Sequence, residues 1–250
     1  MIHLKPESSP EYSILNDYQS AGKVNFLTGS SGDYLSNETY KTLRTNLFFC
    51  GADVKTVVIT SCNENEGKST VSSELSKSLA DAGKRTLMID ADMRKSMLLR
   101  GAIRNNKMFG LSEYLTGQAE FSQILYNTQI PNFDIIFSGH FPPNPVELLG
   151  SDRFKDLLAK TRGNYDYIII DSPPLGSVID SAVIASVADG AIMVLSAGKI
   201  HASDALDVKT QLTKSGCRIL GVVLNNTDPK NGKYYKKYYR SYGYGVKEKK

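Results

Sequence analysis

Short apolar runs alternate with longer segments of helical periodicity through the middle of the chain. The apolar runs, several of them rich in Val and Ile, predict buried strands at 55–61, 85–92, 132–139, 165–174, 190–197 and 218–226. Helical segments are predicted between them at 69–83, 145–162, 177–188 and 203–216. Strands that are apolar on both faces and separated by helices indicate a mostly parallel sheet with helices on both faces. The pattern therefore predicts an α/β fold with a doubly wound sheet.

Both ends of the chain lack this pattern. Residues 1–35 are polar without a sustained period, so we expect an extended or partly disordered N-terminal arm. A helix is predicted to follow directly, with Ser36 or Asn37 as its cap. Residues 229–250 combine turn residues with charges and predict a flexible C-terminal tail. The sequence therefore predicts one folded domain, over 36–228, between two irregular ends.

Composition narrows the class of protein. The chain has 250 residues, of which 41% are hydrophobic and 22% charged, as in an ordinary globular domain. Much of its net charge of +4 comes from the tail, so the body offers no basic surface for nucleic acid. Three cysteines without a C-x-x-C pair indicate neither a disulfide framework nor a zinc site. Because no apolar run approaches the ~20 residues that span a bilayer and no secretion signal is recognised, we expect a cytoplasmic protein.

A phosphate-binding loop is indicated by the stretch VVITSCNENEGKST, in which a strand leads into a loop and Gly67-Lys68-Ser69 opens a helix. Backbone N–H groups at such a helix start bind phosphate oxygens, Lys68 reaches the β- and γ-phosphates of ATP, and the Ser69 hydroxyl ligates Mg²⁺. Cys62 stands at the position of the first glycine in the usual pattern, and Asn65 stands where many such loops have another glycine. Asn can serve there because it adopts the left-handed conformation more readily than most residues. The predicted nucleotide-binding residues here are Asn63, Glu64, Asn65, Glu66, Gly67, Lys68, Ser69 and Thr70.

Three carboxylates follow predicted strands. Asp90 and Asp92 end the run LMIDAD, and Asp171 ends the run YIIID. Because the carboxyl ends of parallel strands open on one edge of the sheet, these side chains should meet the phosphate loop there. Phosphoryl transfer needs a metal and a group that orients the attacking oxygen. We expect Asp171 to serve as the Walker B acid that binds Mg²⁺, with Asp90 and Asp92 dividing metal ligation and proton acceptance.

These motifs together resemble those of the bacterial tyrosine kinases. LMIDADMRK is similar to their Walker A′ motif, IIIDSPP to their Walker B motif, and SGHFPPNPVELLGSDRF to the segment between the two. ETYKTLRTNLFF resembles their E-x-x-R-x-x-R oligomerisation motif, and the chain ends in a similar tyrosine cluster. The likeness covers about 36–245. More narrowly, it is to the cytoplasmic kinases of Gram-positive capsule and exopolysaccharide operons.

The resemblance implies roles for particular residues. Asp90 would deprotonate the incoming tyrosine, with Lys68 and Asp92 completing the catalytic group, and Asn225 would contact the adenine. The implied metal-binding residues are Ser69, Asp92 and Asp171. The implied phosphate acceptors are Tyr234, Tyr235, Tyr238, Tyr239, Tyr242 and Tyr244. The implied oligomerisation residues are Glu38, Lys41 and Arg44.

The same resemblance implies partners. The subunits would form a homo-oligomer, as a ring, in which one subunit modifies the tail of its neighbour. A transmembrane adaptor would supply an activating cytosolic tail and recruit the kinase to the inner face of the membrane. Other proteins could serve as further substrates, whereas nucleic acid is not an expected partner. ATP and Mg²⁺ are the expected cofactors.

Two functions other than a kinase also fit parts of this sequence. A partition or division-site ATPase switch carries a second lysine early in the loop, where this chain has Asn63, and often ends in an amphipathic membrane helix. A nucleotide-gated interaction module without catalysis would explain Glu64 and Asn65 in the loop, but not the retained Lys68 and carboxylates. The charges of the oligomerisation motif also fit a solvated helix face, and the tail alone also fits a segment that binds anionic lipid or nucleic acid.

Overall fold

The computed structural model describes residues 20–26, 34–96, 98 and 108–227. Within them, the strands of one sheet are β1 Gly22–Val24, β2 Thr56–Ser61, β3 Thr86–Asp90, β4 Leu125–Thr128, β5 Phe133–Ile136, β6 Tyr167–Asp171, β7 Gly190–Ser196 and β8 Ile219–Asn225. The helices are α1 Tyr34–Phe48, α2 Lys68–Asp81, α3 Leu111–Leu115, α4 Phe121–Ile124, α5 Pro145–Leu149, α6 Asp152–Arg162, α7 Asp180–Ala185 and α8 Ala202–Lys214.

The sheet is mostly parallel and has the strand order β1-β4-β5-β3-β6-β2-β7-β8. Strands β5, β3, β6, β2, β7 and β8 run parallel to one another. Strand β4 pairs antiparallel with β5, and β1 adds to β4 in parallel. The carboxyl ends of β2, β3, β5 and β6 therefore open on one edge of the sheet, which we call the catalytic edge. The predicted doubly wound α/β fold is confirmed.

Helices cover both faces of the sheet. Helices α1 and α2 pack on one face, where Val71, Leu75 and Leu79 of α2 are buried against β2, β6 and β7. Helices α3 and α5 to α8 cover the other face, which holds the largest apolar cluster. Every residue of β2, β3 and β6 is buried, as expected for central strands made of β-branched and other apolar residues. Helix α2 ends before Gly83, which has a φ of 79°.

The predicted strands and helices lie close to the observed ones, with a few corrections. Helix α1 begins at Tyr34, so Ser36 and Asn37 lie inside its first turns rather than at its cap. The helix predicted over 145–162 is two helices. The two helices are separated at Ser151, which is the N-cap of α6. The Ser151 hydroxyl accepts a hydrogen bond from the backbone N–H of Phe154 (3.3 Å).

Part of the predicted N-terminal arm joins the sheet. Strand β1 lies within 1–35 and pairs with β4, neither of which the sequence pattern indicated. Phe26 is buried and meets Phe133 edge to face at 5.4 Å between ring centroids. The side chain of Gln129 also bonds the backbone N–H and C=O of Phe26, at 2.7 and 2.6 Å. These contacts anchor the segment just before α1.

Two further findings concern the whole chain. None of the helices within the described ranges is long and apolar enough to cross a membrane. The predicted acceptors Tyr234, Tyr235, Tyr238, Tyr239, Tyr242 and Tyr244 lie outside the described residues, as do 228–250 as a whole and the first nineteen residues.

Candidate active site

The phosphate loop connects β2 to α2 at the catalytic edge. Asn65 has a φ of 60° and Gly67 a φ of 91°, so both take the left-handed conformation that the loop requires. Asn63, Glu64 and Asn65 are exposed, whereas the Lys68 side chain is buried at the first turn of α2. The loop thus has an exposed tip at 63–65 and ends at a buried lysine. This arrangement suits phosphate groups.

Glu66 holds the loop in shape from inside. It is 2% exposed, and its carboxylate accepts hydrogen bonds from the backbone N–H groups of Cys62 (2.8 Å) and Asn63 (3.0 Å). Its backbone oxygen accepts a bond from the Asn225 amide at 2.9 Å. The Glu66 carboxylate is therefore already used in hydrogen bonds within the protein. We expect Glu66 to contribute to nucleotide binding through its backbone and by keeping the loop in shape.

Asp90 and Asp171 are the innermost charged groups of the site. They are direct partners on the adjacent strands β3 and β6, and both are essentially fully buried. The Ser72 hydroxyl of α2 donates a hydrogen bond to Asp171 at 3.0 Å. The sequence prediction that these strand-end carboxylates meet beside the phosphate loop agrees with this geometry.

Burial changes the acidity of both carboxyls. Burial, and secondarily the neighbouring Asp171, raises the pKa of Asp90 to about 8. Burial also raises the pKa of Asp171, to about 6, although hydrogen bonding from Ser69 and the charge of Lys68 act in the opposite direction. Asp90 therefore holds its proton more tightly than Asp171. A carboxyl with a raised pKa is a stronger base once it is ionised.

The chain after β3 wraps around these carboxylates. The backbone N–H of Asp92 donates to Asp90 at 3.2 Å, and the Ser96 hydroxyl donates to the other oxygen of Asp90. Asp92 in turn accepts bonds from the backbone N–H groups of Arg94 (3.2 Å) and Lys95 (3.0 Å). One oxygen of Asp92 is thus occupied by its own turn, and its half-buried side chain lies beside Asp90 at the mouth of the site.

An ion pair with one buried partner ties this turn to the start of α7. The Arg94 guanidinium donates to both oxygens of Asp180, at 3.0 and 3.2 Å. The Asp180 side chain is 1% exposed and the Arg94 side chain 41% exposed. The sequence pattern does not single out either residue, because their pairing depends on how the turn after β3 meets the start of α7. The available signal was that Arg94 belongs to the stretch LMIDADMRK, which is similar to a Walker A′ motif.

A second, exposed ion pair crosses the mouth of the site. The Lys95 ammonium lies 2.5 Å from a carboxylate oxygen of Glu64, and both side chains are more than half exposed. Hydrogen bonding from Lys95, and then its charge, lower the pKa of Glu64. The pair joins the phosphate loop to the turn after β3.

Asn225 ends β8 beside the loop. Its amide donates to the Glu66 backbone, and a side chain added at Gly67 would collide with that amide. Asn226 has a φ of 55° and donates to the Ser196 hydroxyl at 2.9 Å. The end of β8 therefore borders the nucleotide-binding loop, where the resemblance placed the adenine contact.

The side chains predicted to bind a metal are chemically suited to a hard cation. Ser69, Asp92 and Asp171 supply the oxygen ligands that Mg²⁺ prefers, and Ser69 hydrogen-bonds to Asp171. No group of three or more His, Cys, Asp or Glu side chains forms a metal cluster within the described part of the chain. An ion at this site would use oxygen atoms of Ser69, Asp92 and Asp171 together with oxygen atoms from outside the protein. This is how Mg²⁺ is usually bound with a nucleotide.

The predicted oligomerisation residues lie on α1, which packs against α2. Lys41 pairs with Glu38 at 2.8 Å, and both side chains are exposed. Arg44 instead donates to the backbone oxygen of Ser78 on α2, at 2.7 Å. The motif thus divides into an exposed pair and an arginine that fastens α1 to α2.

The fold and this site define a nucleotide-binding P-loop protein. The AAA domain family matches residues 54–222, which is more than half of the chain. Tyrosine-protein kinase CpsD of Streptococcus pneumoniae serotype 4 is 42% identical over 199 residues, covering 80% of this chain and 88% of the relative. Tyrosine-protein kinase CpsD of Streptococcus agalactiae is 39% identical over 216 residues, covering 86% and 92%. The chain therefore belongs to the bacterial tyrosine-protein kinases.

Solved structures agree with this assignment. The kinase domain of Escherichia coli tyrosine kinase ETK has a TM-score of 0.73 and 27% identity, covering 91% of this chain and 98% of that one. The septum site-determining protein MinD of Pyrococcus horikoshii, complexed with Mg-ADP, has a TM-score of 0.58 and 27% identity, covering 68% and 70%. The kinase assignment is favoured over the partition and division ATPase that the sequence left as an alternative.

Proposed function

We propose that this kinase transfers the γ-phosphoryl group of ATP, with Mg²⁺, to tyrosines of its own C-terminal tail. The observation that carries the proposal is the in-register pair of buried carboxylates, Asp90 and Asp171, beside the phosphate loop. A second carboxylate beside the metal-binding one can accept the proton of an attacking hydroxyl, and the kinase relatives favour a tyrosine as the source of that hydroxyl. The raised pKa of Asp90, to about 8, supports the role of that base.

Each part of the site has a task in this reaction. Backbone N–H groups of the loop bind the phosphates, and Lys68 neutralises charge on them. Asn225 borders the adenine side. Asp90 accepts the proton of the tyrosine hydroxyl, and Ser96 and the backbone of Asp92 orient the Asp90 carboxylate through the hydrogen bonds described above.

Mg²⁺ would be held by Ser69, Asp171 and, through its free oxygen, Asp92. When bound, the ion neutralises phosphate charge and fixes the phosphates for in-line attack. The chain's own residues prepare this site, because the Ser69 hydroxyl already lies against Asp171. The Ser72 hydroxyl also donates a hydrogen bond to the Asp171 carboxylate.

The six tail tyrosines are the acceptors in this proposal. They lie among lysines and Arg240 after Thr227, so the unmodified segment is cationic. Each phosphate adds about −1.5 to −2 charges, and several would reverse the sign of the segment. Transfer between subunits of a ring, assembled through the α1 motif, would therefore loosen the assembly as it proceeds.

We also propose a setting for the enzyme. The relatives named CpsD support a role in capsular or exopolysaccharide synthesis. A transmembrane adaptor would supply an activating cytosolic tail and hold the cytoplasmic kinase at the inner face of the membrane. Other proteins would be further substrates. Phosphorylation of the tail would then set the assembly state of the polysaccharide machinery.

The direct test is a phosphotyrosine map of the purified protein after incubation with Mg·ATP, with and without the adaptor's cytosolic tail. We expect phosphate on the tail tyrosines, and none in a Lys68→Met control. If no phosphotyrosine appears and the control behaves identically, the kinase proposal is wrong.

A variant with all six tail tyrosines replaced by Phe tests whether tail phosphorylation changes the assembly. Its size distribution under ATP should stay fixed while that of the wild type shifts to smaller species.

A further inference from the structure

The catalytic edge carries a group of exposed rings beside the strand that holds Asp90. Phe109, His140 and Phe141 lie on two adjacent loops beyond β5, the parallel neighbour of β3. We call them the β5 patch. Phe141 is 58% exposed and Phe109 38%, and the His140 side chain is 76% exposed. The patch therefore lies beyond the strand adjacent to the one that ends in Asp90.

The loops that carry the patch are firmly fixed. The backbone N–H of Leu111 donates to Phe137 at 2.7 Å, which joins the start of α3 to the end of β5. The buried Glu113 carboxylate accepts bonds from the backbone N–H groups of Gly110 (2.7 Å) and His140 (3.0 Å). It also contacts Nδ1 of the His140 ring, at 2.6 Å. A buried carboxylate thus sets the direction of an exposed imidazole.

The position of the patch is specific. Within the described ranges, three phenylalanines are strongly exposed, and two of them form the patch. The third, Phe49, follows α1 and precedes β2, so it lies at the opposite edge of the sheet. Two exposed rings together on rigid loops at the catalytic edge are typical of a surface that binds a partner.

We propose that the β5 patch docks the tyrosine-rich tail, residues 228–250, of a second copy of this chain. This inference rests on the proposed function and adds the surface that recognises the acceptor. The tail carries eight Lys and Arg side chains against two acids, interleaved with tyrosines. Its cations suit the faces of exposed rings, and its tyrosines suit edge and face contacts with phenylalanine.

A mixed reaction separates acceptor docking from the other steps. The enzyme copy has its six tail tyrosines replaced by Phe and carries Phe141→Ala or Phe109→Ala. The acceptor copy is intact except for Lys68→Met, so it cannot transfer phosphate. The initial rate is measured against acceptor concentration. We expect each patch substitution to raise the KM for the acceptor by about tenfold, with little change in kcat.

Matched variants check that the effect belongs to docking. Phe49→Ala removes an even more exposed ring at the opposite edge and should leave KM unchanged, with the oligomer size measured in parallel. Phe141→Trp keeps a ring and should restore most of the lost affinity. Affinity for a fluorescent ATP analogue should stay the same in all patch variants. An equal fall in nucleotide affinity or thermal stability would overturn the inference, because the patch would then support the fold or the nucleotide.

The two proposals fail in different ways. If the unsubstituted pair produces no phosphotyrosine, the kinase proposal fails, and docking is tested by fluorescence anisotropy with a labelled peptide of residues 228–250. Loss of peptide affinity in Phe141→Ala but not in Phe49→Ala supports the patch even then. If the unsubstituted pair reacts and the patch variants show the same KM and the same peptide affinity, only the docking inference is wrong.

Discussion

The carboxylates at the catalytic edge and the charged residues of α1 differ most in their surroundings. Asp90 and Asp171 are buried between two strands and receive hydrogen bonds from Ser96 and Ser72. Glu38 and Lys41 pair on an exposed helix face, where solvent screens them. The two regions carry similar residue types, but only the first has the low-dielectric surroundings that change acidity.

The difference teaches what each region can do. A buried charge is costly unless its partners are present, so its surroundings must be built in detail and retained. An exposed pair contributes little to the free energy of unfolding, so such a pair can change its contacts without harming the fold. The first region therefore suits chemistry and the second suits recognition. The following experiments test that contrast, from the largest expected effect to the smallest.

Asp90→Asn should abolish transfer without harming the fold. Asparagine fills the same space and accepts no proton from the tyrosine, so we expect the rate to fall by about 10² to 10⁴. The melting temperature should stay level or rise, because the desolvated carboxyl is gone. Phosphotyrosine formation and thermal unfolding measure the two effects. A rate within tenfold of the wild type would show that Asp90 is not the base.

Arg94→Ala should destabilise more than Asp180→Asn. The first change leaves the buried Asp180 carboxylate without its partner, at a cost of about 3 to 5 kcal/mol. The second leaves a partly exposed guanidinium that water solvates, so we expect about 1 to 3 kcal/mol. Both should also lower kcat, because the turn that carries Asp92 and Ser96 loses its anchor. Urea unfolding compares the two variants, and the reverse order of stability would contradict the assigned burial.

Glu113→Gln should make the free energy of unfolding less dependent on pH in the acidic range. Burial raises the pKa of Glu113, but the N–H groups of His140 and Gly110 outweigh it and lower the pKa overall. A lowered pKa contributes stability above the unfolded value of about 4.3, and this contribution is lost as pH falls through the folded value. We expect the variant to cost about 2 kcal/mol at neutral pH. The difference from the wild type should shrink below about pH 4. A constant difference in unfolding across pH would contradict this.

Lys41→Ala should hardly affect unfolding. An exposed pair at i and i+3 contributes about 0.2 to 0.5 kcal/mol. If this pair forms part of a subunit interface, the oligomer should nevertheless dissociate to smaller species in size-exclusion chromatography. Glu38→Ala is the matched variant and should behave alike. Unchanged oligomer size in both variants would leave these charges as a solvated helix face.

The sequence predicted the parts of the site that depend on strand order. Asp90 and Asp171 could be brought together because parallel strands end on one edge. Asn65 could be accepted in the loop because Asn adopts a positive φ, and the structure gives it 60°. These inferences needed only local pattern and sheet geometry, so the fold and the centre of the site were accessible from the sequence.

The remaining features depend on contacts between separate loops. Arg94 and Asp180 are 86 residues apart, and no periodicity links them. Glu113 fixes His140 from a helix that the apolar pattern did not indicate. Strand β4 was missed because its short stretch, LYNT, lacks a distinct apolar run. Such elements are stabilised by tertiary contacts rather than by local propensity, so the sequence alone gives little sign of them.

The position of β8 has a consequence for the reach of the tail. Four strand spacings separate β8 from β3, through β7, β2 and β6, which is roughly 19 Å at about 4.8 Å each. A random coil of the nine residues 226–234 would have a root-mean-square length of roughly 17 Å. A tether of that length would give a subunit's own tyrosines a high effective concentration at its own site. The proposed transfer between subunits would then depend on the geometry of the assembly, because the length of the tail would not enforce it.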